Sequence, residues 1–421
     1  MPFLPLAMPA LRAAPSVHAR RLELASLVTL ALLPLAMALA NRSSPLVVGV
    51  AAALAILAAL VEPPGRMRLF LASRAIARAP ALLVVSAFAA YAAVSMAWSV
   101  LPRASLFTFG EALLPAFAAT VAAILLPRRV PGIVTVLAGA AFVAACLVVI
   151  GDLATGLAVR QKLGLRATGG FVFNRSIITL LMLAWPLGLL WWEGSRRILA
   201  GAALAALLLV LVVGESGAAL MGALCGIGTF AIALLSRRVA LALVTAGLLA
   251  CLIIAPFKGS LTMQLPDSFV ALVQQRGHAV ERIALWRSFE EVVRHRPLLG
   301  TGFGASPRLA DDPVAQEVPE DLREMLAIGH PHDAFLQIWV ELGAVGAVLA
   351  ALVIATMMRA LAHLRGLRLA ASLALVASAA GVMLVGHGAW QGWWIAAVGA
   401  AVVWFRRRPD RAVPSKGVDH E

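Results

Sequence analysis

The sequence predicts an all-α polytopic membrane protein with about 12 transmembrane helices and one large helical loop on the non-cytoplasmic side. Three observations lead there. Of 421 residues, 62% are hydrophobic and only 13% charged, where a soluble domain has roughly 45–50% and about 25%. The apolar residues form continuous runs of bilayer length rather than an alternating pattern, which selects helices over a barrel. Lys and Arg concentrate in every second gap between the runs, as cytoplasmic loops require.

The runs lie near 22–40, 44–61, 80–98, 105–126, 131–151, 175–192, 198–213, 216–235, 239–256, 334–358, 368–386 and 388–405. A span needs ~20 residues, so 198–213 and 388–405 are the shortest candidates. The first run ends Ala-Met-Ala-Leu-Ala40, which resembles a signal-peptidase site. Its apolar stretch exceeds the usual ~7–15 residues, so it is read as a retained span. Residues 67–79 are basic and amphipathic and suit the cytoplasmic headgroup layer. Of the 35 Lys and Arg residues, 21 fall on the side shared by both termini, and 8 of the other 14 lie in the long loop, which the topology rule discounts. The expected organisation is a cytoplasmic N-terminus at 1–21, helices 1–9 over 22–256, an outward loop at 257–333, helices 10–12 over 334–405 and a polar cytoplasmic tail at 406–421. The net charge of +14 is scattered in small clusters, which argues against a nucleic-acid partner. Cys146, Cys225 and Cys251 each sit in an apolar run without a CxxC pair, and read as small core residues.

The outward loops break this composition and are where chemistry is expected. Arg160, Lys162 and Arg166, followed by Arg175, stand against the charge bias and suggest an anion site, and Gly169-Gly170 permits close backbone approach beside them. In the long loop, Val280, Ile283, Trp286, Phe289 and Val293 recur at helical steps over 279–295, placing Arg282 and Trp286 on one face. Pro297 ends that helix, and Gly300, Gly302 and Gly304 form a tight re-entry to the membrane surface. A second short helical pattern over 317–327, with Asp311 and Asp312 before it, reads as a solvated acidic face rather than a metal site. The densest constellation is His330-Pro331-His332-Asp333, immediately before the tenth span. An imidazole suits general acid/base work near neutral pH, and the helix N-terminus that follows favours anions. Glu111 and Glu341 lie in or beside apolar helices, where carboxylates are paired or functional.

These residues resemble the signature of the O-antigen ligase and polymerase superfamily. His332-Asp333 enters a helix that continues Trp339-Val340-Glu341-Leu342-Gly343, and Arg282-x-x-x-Trp286 precedes the run from Arg296-Pro297 to Gly302-Phe303-Gly304. Upstream, Arg166-x-x-Gly169-x-Phe171-x-x-Asn174, Glu215-Ser216-Gly217 and Trp98-Ser99-x-x-Pro102 are also similar to it. Two positions depart: Asp333 stands where Asn is usual, and Ser216-Gly217 where Ser-Arg often opens the eighth span.

The resemblance implies a fold like that of the lipid-donor (GT-C-like) glycosyltransferases and a bacterial inner-membrane enzyme with a periplasmic active site. It implies transfer of O-antigen from an undecaprenyl-diphosphate-linked donor to lipid A–core oligosaccharide, with inversion and without a metal or other cofactor. Arg166 and Arg282 match the family's arginines and would hold the diphosphate, with Arg175 as a further candidate. His332 would be the base, with Asp333 or Glu341 holding its tautomer and Trp286 in support. The rival readings are an O-antigen polymerase, a protein O-oligosaccharyltransferase and, from another class, a secondary transporter.

Overall fold

The structure is a computed structural model that describes residues 16–165, 167–266, 268, 279–386 and 388–410. It is 81% helical. Helices α1 (Val17–Ala31) and α2 (Leu33–Leu39) form a span bent by 46°, and α3 (Ser44–Leu60) turns through 119° into α4 (Pro63–Ala77), the expected amphipathic helix. The chain continues through α5 (Pro80–Ser95), α6 (Pro102–Leu125), α7 (Gly132–Ala154), the short α8 (Ala158–Lys162), α9 (Asn174–Glu193), α10 (Arg197–Val213), α11 (Gly217–Leu235) and α12 (Arg237–Ile254). After α13 (Lys258–Thr262), α14 (Ala279–His295) and α15 (Glu320–Arg323) come the last helices, α16 (Ala334–Leu361), α17 (Gly366–Val385) and α18 (Gly392–Phe405). Every apolar run expected to span carries a helix. Among the described residues eight helices are long and apolar enough to cross a membrane, or ten if each bent pair counts as one span; α10 and α18 are shorter. These two coincide with the shortest runs. A 14-residue α18 covers only about 21 Å at 1.5 Å per residue. Trp393, Trp394 and Trp404 are buried along it, so it packs against protein rather than lipid.

Local chemistry starts and stops the helices. Proline occupies the first turn of α2, α3, α5 and α6, where its missing N–H costs nothing. Ser16, Ser216, Ser236 and Asp333 cap α1, α11, α12 and α16 through their side-chain oxygens. Burial sorts the helices into layers. The span Gly170–Glu193 is 72% buried and α17 61%, whereas Pro80–Trp98 is 11% and α6 22%. Large apolar side chains such as Phe107, Ile198 and Leu235 are open on the periphery, as hydrocarbon rather than water allows.

Two close approaches fix the helices that carry the site. On α11, Gly222 and Gly226 lie against α17: a Cβ would stand 2.7 Å from the Ser378 carbonyl at one and 2.1 Å from the Ser378 hydroxyl at the other. Small residues at this spacing let two membrane helices touch. In α16 the helix breaks at Gly343, with φ 60° and ψ −160°, a conformation essentially restricted to glycine. The segment 297–304 fills the break. Thr301 and Gly302 N–H donate at 2.9 Å to the carbonyls of Val340 and Glu341, and Ala344 N–H donates at 2.8 Å to that of Pro297. The glycine-rich re-entry therefore mends a broken membrane helix. Glu341, fully buried, receives Gly304 N–H (2.6 Å), Ser306 N–H (3.4 Å), Gln337 Nε2 (2.8 Å) and Trp390 Nε1 (2.7 Å), which makes a carboxylate tolerable inside the bundle.

Candidate active site

The site forms at the end of the bundle that carries residues 257–333, where the C-terminus of α17 meets the turn before α16. The last carbonyls of a helix lack intrahelical partners and carry the negative end of its dipole. Here three successive ones are claimed by three different elements. Lys258 Nζ, from α13, donates to Leu384 O at 2.7 Å. Arg282, from α14, donates to Val385 O. His332 Nδ1 lies 2.7 Å from Gly386 O.

That last contact decides the imidazole's chemistry. A carbonyl only accepts, so Nδ1 carries the proton and the Nε2 lone pair is left to act as a base. The residue holds φ at 50°, an uncommon conformation outside glycine that histidine tolerates better than most residues. Burial holds the imidazole below its usual pKa, and the nearby Arg282 charge pushes the same way, against the Gly386 hydrogen bond. His332 is therefore neutral at neutral pH. His330 packs on it with ring centroids 4.1 Å apart, and its Nδ1 accepts the His332 backbone N–H at 3.3 Å. Burial, then His332 and Arg175, push its pKa down to about 4.

The supporting residues divide differently from the expectation. Neither Asp333 nor Glu341 orients the imidazole; the Gly386 carbonyl does. Asp333 Oδ1 caps α16 by accepting Phe335 and Leu336 N–H at 2.8 and 3.0 Å, and its Oδ2 pairs with Lys258 at 2.6 Å. Both oxygens are thus committed away from the ring. Glu341 is committed to the helix break described above. Trp286 stands beneath the turn: Nε1 donates to Pro331 O at 3.0 Å, and the Lys258 ammonium lies 3.6 Å from its ring centroid.

Of the cations expected to bind anions, Arg282 stands beside His332 with its pKa lowered by burial. Arg175 approaches from α9, lies over the Trp393 ring at 5.5 Å and is within electrostatic range of His330, Arg42 and Glu111. Arg166 lies outside the described residues. Arg160 does not belong to an anion site: it is buried, donates to Ala38 O at 3.1 Å and lies over Phe173 at 5.1 Å, near Asp152. Gly170 lies against Glu215, whose carboxylate would stand 2.8 Å from a Cβ there and would have to swing aside. In the acidic stretch, Asp311 pairs with Arg308, Asp312 accepts Val314 N–H and Glu317 pairs with His295. Among the described residues no group of three or more His, Cys, Asp and Glu side chains is placed to hold a metal ion.

Sequence reasoning missed three contributors. Lys258 was grouped with the long loop, although its place as a lone cation directly after the ninth apolar run was a usable signal. Arg42 sat in a short turn like any other surface cation. The Gly386 carbonyl leaves no mark in a sequence.

Two comparisons bear on this geometry. Residues 201–351 match the family model described as O-antigen ligase. A Rickettsia typhi protein named "Putative polysaccharide ligase" is 23% identical over 232 residues, which covers 54% of this chain and 56% of that protein. The aligned region spans about half of that relative's length. The family match includes α14 with Arg282, the His330–Asp333 turn and the mended break in α16. Over residues 201–351 this multi-pass membrane protein is thus similar to the O-antigen ligase family, and over about half its length to a polysaccharide ligase homologue.

Proposed function

We propose that the protein is an O-antigen ligase that transfers glycan from undecaprenyl diphosphate to lipid A–core oligosaccharide at the periplasmic face of the inner membrane. The single observation that carries this reading is the neutral, Nδ1-protonated imidazole of His332 set beside the half-buried Arg282 guanidinium. Nε2 of His332 takes the proton of the acceptor hydroxyl as its oxygen attacks the anomeric carbon. The bond from that carbon to the diphosphate breaks, and negative charge grows on the leaving group. Guanidinium groups stay charged and grip phosphate through two N–H bonds, so Arg282 and Arg175, with Arg166, stabilise that charge. Attack opposite the leaving group inverts the anomeric centre. No step requires a metal.

Deleting the gene and separating the lipopolysaccharide on a gel tests this reading. Unmodified core should remain while long lipid-linked chains accumulate. Core bearing a single repeat unit would instead identify a polymerase.

The topology is tested separately. The cation distribution puts residues 257–333 in the periplasm, so a cysteine at Asp312, in a protein freed of its native cysteines, should react with an impermeant maleimide once the outer membrane is opened. Labelling only after inner-membrane lysis would reverse the orientation.

Lys258 is a positioning residue in this scheme, since it ties the Asp333 cap and the Trp286 ring to the end of α17. A small displacement of a reacting group costs up to about 10²-fold. Lys258→Met should therefore lower kcat on the order of 10- to 10²-fold with donor KM little changed, and Lys258→Arg should recover part of it. An unchanged kcat in a correctly inserted Lys258→Met protein would remove it from the mechanism.

A further inference from the structure

At the opposite end of the same helices lies a second concentration of cations that transfer chemistry does not use. Arg368 begins α17 and Arg406 follows α18, whereas Gly386 and Trp393 mark their other ends. A 20-residue helix separates the two regions by about 30 Å. A short parallel bridge pairs Arg129 with Arg408 and Val130 with Pro409, and Arg408 N–H donates to Arg128 O at 2.7 Å. Arg407 is buried and caps the end of α6 through the carbonyls of Ala122, Ala123, Leu126 and Pro127. Arg368 donates to Phe405 O and Glu193. This scaffold leaves an open cavity of about 570 Å³ lined by Arg128, Arg129, Arg368, Arg406 and Arg408 beside the ring of Phe405.

Acidic compensation is sparse. Glu193 answers Arg368, and Asp410 stands 3.8 Å from Arg129 with both side chains open to solvent. Among the described residues Arg128, Arg406 and Arg408 form no ion pair. Burial pushes Arg407 down to about 9, and the neighbouring charges of Arg406 and Arg128 push the same way. An anion between these groups would relieve that repulsion.

We propose that this arginine basin is a binding site for the phosphate of an anionic phospholipid headgroup. Guanidinium forks match phosphate oxygens, and basic pockets between membrane helices at the cytoplasmic surface suit lipid headgroups. The basin lies at the ends of transmembrane helices, on the face that the proposed topology puts in the cytoplasm. Its phenyl wall gives the apolar part of a lipid a surface that free phosphate would not need.

The test compares the whole protein with the triple variant Arg128→Gln/Arg406→Gln/Arg408→Gln, which spares the structural Arg368 and Arg407. Native mass spectrometry would count phosphatidylglycerol retained from mixed micelles, with phosphatidylcholine as the neutral control. Wild type should retain phosphatidylglycerol selectively. The variant should bind it roughly 100-fold more weakly, at about one charge-to-surface interaction lost per guanidinium. Millimolar inorganic phosphate should not displace the lipid. Equal retention by both proteins would overturn the proposal, and displacement by inorganic phosphate would reassign the basin to a soluble anion. If the triple variant does not fold, the exposed single change Arg128→Gln should still weaken retention several-fold, and unchanged retention there counts against the site.

Discussion

Replacing His332 with alanine is expected to reduce glycan transfer by on the order of 10²–10⁴, the usual loss when a positioned general base is removed. Two features make that expectation specific. The Gly386 carbonyl fixes the tautomer that leaves Nε2 basic, and burial keeps the ring neutral. Because His332 has a lowered pKa and the neutral form is the active one, transfer should fall only as pH drops below the ordinary imidazole value of about 6.5. His332→Asn serves as the control for folding, since asparagine also tolerates a positive φ. His330→Ala should cost far less, because His330 supports the turn and its imidazole is already too weakly basic to compete. Donor binding should survive in His332→Ala, since the proposed mechanism assigns the diphosphate to the arginines. A His332→Ala enzyme with wild-type turnover would eliminate the base. One that no longer binds donor would reassign His332 to substrate binding.

The second large effect is expected at Arg282. Loss of one preorganised donor to developing negative charge typically lowers kcat by about 10²–10³. Arg282→Ala should show a loss of that size while the protein still inserts. Arg282→Lys should restore only part of it, because an ammonium cannot reproduce a planar fork that reaches the Val385 carbonyl and has further N–H groups for the proposed phosphate. Arg166→Ala should behave similarly by virtue of the matched motif, and Arg175→Ala by its place against the histidine turn. Near-normal transfer in the Arg282 and Arg166 alanine variants would put the diphosphate site elsewhere.

Much of the architecture was legible in advance. Continuous apolar runs of bilayer length admit only helices, because every backbone polar group must be satisfied within the segment. The helix over 279–295 was visible from periodicity alone, and its structure runs Ala279–His295. The two weakest spans were marked by length, and they are the two short helices. Arg160 was misread for a physical reason: charge on the outer side of a membrane protein signals either a ligand or a buried partner, and composition does not tell them apart. Burial against Ala38 and Phe173 does.

The sequence by itself determined that this chain lives in a bilayer, where its helices run and which polar residues stand out from that background. It also singled out His332 and Arg282, since a histidine turn and an amphipathic arginine helix are local patterns. What only tertiary structure decided is how those groups become chemistry. The ring's tautomer depends on a carbonyl 54 residues away in sequence, presented by the end of α17. Asp333 and Glu341 proved to be a helix cap and the binder of a helix break, because their oxygens were claimed by backbone and side chains from other elements. The arginine basin likewise joins cations from three separate chain segments. Hydrogen bonds and charge clusters between distant segments carry no periodicity, so no local pattern announces them until the helices pack.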